Sequence, residues 1–373
     1  MLQKISKTLL LQPMKQAFLI VLLALTASQA NAQGVTYNEE SVDLEALYQE
    51  IDDAITKSPQ YVKVLEGKIS GCRDSFLTEE NPEKRIQRAE SLFRLYRSYK
   101  NDSAQHYLGI CINLSDSLHR PDLASRYRSL MAYQCAATYI KAESVVQIEQ
   151  INKQALDRQG LVDYYHTMMY YYGELGHYTQ RDGMQFYYFE QQNLYRDSVL
   201  MVAEEGSEEW LHLKMDILTA RRHFQEALSV SDRWLKTVTP GTHESSYAAF
   251  YRSEVFDHLR NHDLTCYWLG RSALDDIRCA VMDQASLLFL AEHLVDDGDI
   301  NRAIRYLEFA MKCNTTFLPY IRPYQADCAI NIIKKARLAD KQRTNKILYA
   351  SAAVIALLLL ALIFVIVTRR KRK

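Results

Sequence analysis

Residues 284–315 read QASLLFLAEHLVDDGDINRAIRYLEFAMKCNT. Leu287, Leu290 and Leu294 fall at intervals of three and four, and after Gly298 the spacing resumes at Ile300, Ala303, Leu307 and Ala310. That interval places the apolar side chains on one face of a helix. A glycine between two such runs suits a tight turn. The stretch therefore predicts two helices, near 281–296 and 299–314, paired across Gly298.

The same pattern extends toward the N-terminus. Helix pairs are predicted near 82–99 and 102–118, 121–139 and 142–156, 161–175 and 178–195, 208–220 and 223–237, and 245–260 and 262–278. Asn81-Pro82 and Arg120-Pro121 mark starts, while Gly160, Gly176, Gly206, Gly241 and Gly298 are expected at turns. Leu44, Leu47, Ile51, Ala54 and Ile55 make a further amphipathic stripe. Ser58-Pro59 is expected to restart a helix there, with Ser as cap and Pro in the first turn. A last helix runs from about Tyr320 toward the C-terminus. No linker is long enough to force a domain boundary, so one continuous solenoid is the simplest architecture.

Two apolar segments lie outside that fold. Lys4, Lys7 and Lys15, the ten-residue stretch Ala17–Thr26 and Ala30-Asn31-Ala32 have the layout of a cleavable signal peptide over residues 1–32. Cleavage leaves Gln33 first, with no cysteine to take a lipid. Ile347–Thr368 has 22 residues without charge, Pro or Gly, and as a helix it spans about 33 Å. It is the expected transmembrane helix. Arg369, Arg370, Lys371, Arg372 and Lys373 flank it as a basic cytoplasmic tail. This tail reads more simply as a stop-transfer signal than as a lipid head-group site. Residues 33–346 are thereby expected on the periplasmic side of the inner membrane.

Charge and motifs narrow the function. Of 45 Lys and Arg, three lie in the leader and five in the tail, which leaves 37 against 45 acidic residues in the ectodomain, a net of −8. That balance opposes nucleic-acid binding. There is no phosphate loop, no GxSxG and no HExxH, so neither an enzyme nor a cofactor is expected. The seven cysteines are irregularly spaced without a CxxC pair; six or seven read as small core residues, and an extracytoplasmic setting leaves room for one disulfide whose pair the sequence does not name. His258 and His262 stand four apart beside Asp257 and Asp263, yet the turn expected at 261–263 makes them a solvated helix end, with no metal.

Nine tyrosines crowd between 164 and 195. Three in succession cannot share one face, because neighbours diverge by about 100° on a helix. One reading has them fill gaps between helices. The other, adopted for the cluster, makes Tyr164, Tyr165, Tyr171, Tyr172, Tyr187 and Tyr188 a groove for a protein or peptide partner in the cell envelope.

Residues 284–315 resemble a tetratricopeptide repeat, as do 208–240 through Leu211, Leu218, Phe224, Ala227 and Pro240. Phe224, Leu264 and Ile300 are spaced by 40 and 36 residues, close to that repeat's period of about 34. Met215, Tyr267 and Ser231 depart from the small residues of the pattern, which implies shifted packing there. The whole layout also resembles a Bacteroidetes family of membrane-anchored tetratricopeptide-repeat proteins. That resemblance rests on Leu47–Ile69, on LFRLYRSYKNDSAQHY (Leu92–Tyr107) and on the single span. Longer members resemble one-component sensors with a cytoplasmic coiled coil and helix-turn-helix end, whereas this sequence stops five residues after the span. The expectation is an all-α solenoid of such helix pairs followed by one transmembrane helix, serving as a non-catalytic binding scaffold or sensor. The alternative is a truncated or partner-dependent transmembrane regulator.

Overall fold

A computed structural model describes residues 42–179, 181–318 and 321–371. The expected leader, Arg372 and Lys373 lie outside them. The described residues form α-helices joined by turns, with one 3-10 turn (Lys153–Ala155) and no strand. A long helix α1 (Leu44–Leu77) comes first. Six pairs follow: α2 (Pro82–Tyr96) with α3 (Asn101–Ser117), α4 (Pro121–Ala137) with α5 (Lys141–Glu149), α6 (Arg158–Tyr178) with α7 (Asp182–Val202), α8 (Glu208–Ala220) with α9 (Phe224–Thr237), α10 (His243–His258) with α11 (His262–Arg278), and α12 (Ala285–Asp296) with α13 (Ile300–Phe317). Helix α14 (Pro323–Lys371) is last.

Local sequence sets the ends. Asn81 accepts from the Lys84 N–H at 3.1 Å, with Pro82 in the first turn. Asp43, Asp157, Ser207, Asn261 and Asp299 cap α1, α6, α8, α11 and α13 in the same way, and Thr242 with Ser245 forms a capping box on α10. The C-terminal turns are less legible. His119, Tyr139, Arg222, Arg260 and Ala280 all hold positive φ, as Gly298 does. At each, the next N–H reaches back to the carbonyl five residues before it, as from His223 to Leu218 at 2.8 Å and from Asn261 to Phe256 at 3.0 Å. An L-residue in that conformation costs about 1–2 kcal/mol. Arg222 and Arg260 are exposed, so Arg222→Gly and Arg260→Gly should each stabilise the fold. The gain should be about 0.5–1 kcal/mol after the extra freedom of glycine in the unfolded chain is subtracted. Chemical denaturation checks this: an unchanged or lower midpoint would contradict it.

The pattern positions of residues 284–315 are core. Leu287, Leu290, Leu294, Ala303, Leu307 and Ala310 are all buried, as are Leu211, Leu218 and Ala227 in the earlier repeat. Met215 and Ser231 are fully buried despite departing from the pattern. All seven cysteines are free thiols, and five of them are buried.

Helix α1 ties the two ends of the repeat array together. Leu47, Tyr48, Ile51 and Ala54 join the core built by α11–α14, while Ile69 and Phe76 join that of α2, α3 and the end of α13. This corrects the expected restart at Ser58-Pro59: the helix runs through Pro59 unbroken. An interior proline costs about 3 kcal/mol. Burial of both halves of α1 in separate cores offsets it, and Pro59 itself faces solvent.

Three further expectations are corrected. The helix expected over 142–156 ends at Glu149, where the Asn152 N–H turns to Ser125 Oγ at 3.0 Å instead of continuing the ladder. The pair expected at 161–175 and 178–195 is displaced outward to Arg158–Tyr178 and Asp182–Val202. Gly160 and Gly176 lie inside α6, not at turns. A Cβ on Gly176 would meet the Phe189 ring at 2.7 Å, and one on Gly173 would meet Gln192 at 2.6 Å. Those glycines let α6 and α7 approach closely, which the spacing of apolar residues does not reveal.

Helix α14 starts against α12 and α13, then leaves them. None of the described residues packs on its apolar part, which is long and apolar enough to cross a membrane. The backbone stays helical through Arg369, Arg370 and Lys371.

Candidate binding cavity

The first helices of five pairs, α2, α4, α6, α8 and α10, turn one face toward a common cavity of about 1170 Å3. On three of them, part of the lining repeats every four positions. These residues are His166, Tyr170 and Glu174 on α6, Glu208, His212 and Asp216 on α8, and His243, Tyr247 and Tyr251 on α10. Spacing of four keeps side chains on one helix face. Helices α6, α8 and α10 therefore each show a polar-aromatic stripe to the cavity.

The wall has two aromatic clusters. Tyr133 stacks on His166 with centroids 5.2 Å apart and touches Tyr170 at 4.8 Å. Across the cavity, His212 lies 4.0 Å from Tyr251, and both contact Trp234. Also on the wall, Arg126 donates to Asp163 at 2.8 Å and approaches Glu90 at 3.6 Å. Gln134 donates to Asn101 at 2.9 Å and to the Arg97 carbonyl at 3.1 Å.

Six carboxylates against four arginines line the cavity, so its wall is acidic. Burial raises Glu208, with Glu209 and Glu244 adding to it, and burial likewise raises Asp163, Glu174 and Asp216. Burial pushes His166 down to about 4. It pushes His212 to about 3, with His166 adding to the effect.

Both imidazoles are thus neutral near pH 7. Their folded values lie below the ordinary 6.5, so the unfolded chain takes up their protons first as pH falls. Stability from these two histidines is full above about pH 7 and declines toward pH 4. The raised carboxylates act in the opposite sense, because the folded chain protonates them first. The histidine contribution is isolated by comparing the native chain with a His166→Gln/His212→Gln double variant. The native chain's unfolding free energy should fall relative to the variant's as pH drops from 7 to 4. Identical pH profiles would contradict this.

The tyrosines singled out in the sequence lie elsewhere. Tyr164, Tyr165, Tyr171, Tyr172, Tyr187 and Tyr188 join one aromatic network between α6 and α7, linked through Tyr195. Tyr172 and Tyr195 stack at 5.6 Å. The structure brings all six together but places none of them on the cavity wall. On the same helix α7, Phe186 is 72 % exposed and Met201 84 % exposed. Tyr133, His166, His212, Tyr247 and Tyr251 escaped the sequence reading because they are dispersed over four helices. For all of these but Tyr133, the signal that finds them is the four-residue polar-aromatic spacing on α6, α8 and α10.

Comparison with known proteins agrees with the geometry. No curated protein matches the chain. The family model of the SusR N-terminal TPR domain matches residues 55–328, well over half of the sequence. That span begins within α1, takes in all six helix pairs and ends on α14. A helical-repeat array with an inward-facing cavity is the architecture of a protein-interaction or sensor scaffold. The chain belongs to the SusR N-terminal TPR domain family.

Proposed function

We propose that this protein is a non-catalytic, membrane-anchored binding scaffold or sensor that holds a protein or peptide segment in the cavity formed by its first helices. The observation that carries the reading is the acidic, aromatic-lined cavity of about 1170 Å3. Its excess of carboxylates favours a segment bearing Lys or Arg, and its paired aromatic walls supply apolar contact. The tyrosine face of α6 and α7, with Tyr164, Tyr165, Tyr171, Tyr172, Tyr187 and Tyr188, is a second contact surface in this reading. The leader at 1–32 and the span at 347–368 support a repeat domain on the periplasmic side of the inner membrane. There the basic residues Arg369 to Lys373 stay in the cytoplasm.

Photo-cross-linking from three positions of the full chain in intact cells tests this. Glu209 reports on the cavity, Tyr187 on the tyrosine face, and Lys63 on the exposed side of α1. Discrete adducts from Glu209 are expected. Adducts from Tyr187 alone would move binding to the tyrosine face, and adducts from neither would remove the scaffold reading. Protease added outside the inner membrane should digest the repeat domain and spare the tail.

A second reading, a regulator that signals through the membrane, is favoured by one feature. Helix α14 is unbroken from Pro323 to Lys371. It packs on α12 and α13 at its start, so a rearrangement of the last repeat is transmitted along it. Cysteine cross-linking between copies along 347–364 should then change with occupancy of the cavity. A constant pattern would oppose this reading.

A further inference from the structure

The last repeats carry a group of side chains that the cavity does not use. His262, Cys266 and His293 bring their ligating atoms within 4.8 Å of one another. His262 and Cys266 stand four apart at the start of α11, and His293 and Asp297 stand four apart at the end of α12. A spacing of four puts each pair on one helix face. The two helices run antiparallel as neighbours, so the two pairs meet. Asp297 accepts from His262 Nε2, with its two oxygens 2.8 and 2.9 Å away. His258, the other histidine that the sequence set beside this turn, points away and meets the Glu254 carbonyl with Nδ1.

We propose that His262, Cys266 and His293, with the Asp297 carboxylate as fourth ligand, form a tetrahedral site for a divalent transition ion of the zinc class. Two imidazoles, a thiolate and a carboxylate are the donor set such an ion prefers. The separation of His262 Nε2 from Cys266 Sγ is 3.6 Å. Nitrogen and sulfur ligands on one tetrahedral zinc stand about 3.6 Å apart, given bond lengths near 2.0–2.1 and 2.3 Å. Asp297 stands outside the three whose atoms converge, and its oxygens, 2.8 and 2.9 Å from His262 Nε2, must draw back by about 0.5 Å to share an ion with it.

A second observation points to the same place. The Tyr48 hydroxyl, on α1, is buried and finds no hydrogen-bond partner among the described residues. Cys266 is the side chain that acts on it most and meets it only as a loose, poorly aligned partner, with Asp297 and Arg302 acting on it as well. A metal-bound thiolate is a stronger acceptor than a thiol. It would satisfy that hydroxyl as an outer partner of the site.

The layout also gives the ion a route and a role. His262 and Asp297 are each about two-fifths exposed, whereas Cys266 is fully buried. The ion enters from solvent and meets the sulfur on the inner side. On binding, the thiol proton leaves to solvent and the Nε2 proton of His262 shifts to Nδ1. The bound ion clamps α11 to α12 next to α1, at the seam where the two ends of the repeat array meet.

The test uses the untagged full chain in detergent, stripped of metal and titrated with cobalt(II), then zinc(II). One equivalent of cobalt should give tetrahedral d–d bands and a thiolate charge-transfer band, and zinc should bleach both. Cys266→Ser should abolish the charge-transfer band, and His293→Gln should weaken binding at least ten-fold. His258→Gln should change neither. Circular dichroism of each variant, with His262→Gln as a surface substitution, guards against loss of fold. The proposal fails if the native chain shows no charge-transfer band. It also fails if Cys266→Ser keeps the band, or if His293→Gln and His262→Gln, still folded, bind cobalt as the native chain does.

Discussion

Gly270→Leu is expected to destabilise the protein by about 2–4 kcal/mol, whereas Gly270→Ala should be nearly neutral. Gly270 is the point where α11 receives α1. A Cβ there would lie 2.8 Å from Leu47 Cδ2, 3.3 Å from Leu47 Cγ and 3.4 Å from Ile51 Cδ1. Alanine presses mainly on the Leu47 side chain, whose methyl end can shift, and touches Ile51 Cδ1 at 3.4 Å. The helix gains about 0.5–1 kcal/mol from losing a glycine, which offsets that contact. Leucine adds three more carbons to a seam where Ile51 has no exposed surface. The chain then either strains in place, at about 1–3 kcal/mol or more, or releases the first half of α1. Release re-exposes Leu47 and Ile51, at about 3–6 kcal/mol for the two. Hydrogen exchange separates the routes, because release deprotects 44–55 and leaves 62–76 protected. Equal stability and exchange for the leucine variant would mean that α1 does not depend on this contact.

Arg322→Met should cost about 3 kcal/mol, with a pH dependence that identifies the cause. The Arg322 guanidinium donates to both oxygens of Asp283, at 2.8 and 2.5 Å, and Tyr324 donates to the same carboxylate at 2.7 Å. Phe317 and Tyr324 present their rings to the guanidinium. These contacts fasten the start of α14 to the segment before α12. Removing one partner of such a buried pair costs about 3–5 kcal/mol, because the other is left uncompensated. The partial exposure of Asp283 puts the expectation at the lower end.

Burial alone would raise the Asp283 carboxyl, but the charge and hydrogen bonds of Arg322, with that of Tyr324, hold it below the usual range. A depressed carboxyl contributes stability above its ordinary value of 3.8 and loses it as pH falls through the folded value. The difference between native chain and variant should therefore be full at pH 7 and shrink below about pH 4. A pH-independent difference would assign the loss to side-chain packing instead. Arg322→Met/Asp283→Asn should cost less than the two single variants together.

The architecture was present in local sequence. The spacing of Leu287, Leu290 and Leu294, then Ile300, Ala303 and Leu307, sets two helices whose stripes must pack on each other, and Gly298 sets the turn. Caps such as Asn81 and Asp299 fix where helices begin, and the uncharged stretch from Ile347 marks the apolar helix. These features act over three or four residues, so any window of the chain displays them. The turns near Tyr139, Arg222 and Arg260 are expected where the apolar stripes break, but the left-handed conformation there is not, because non-glycine residues hold it.

Only the tertiary structure decided what meets across the chain. Pro59 stays inside a helix because two distant cores grip α1 on either side of it. The cavity arises because five first helices turn one face inward, three of them (α6, α8 and α10) with polar and aromatic residues four apart, a pattern too dilute to stand out in any one of them. The dense run of tyrosines drew attention instead, although it packs between α6 and α7. His262 and His293 approach for the same reason: each helix fixes its own pair of side chains, but which pairs face each other depends on how the helices stack. Long-range juxtaposition follows from burying every apolar stripe at once, a condition on the whole array.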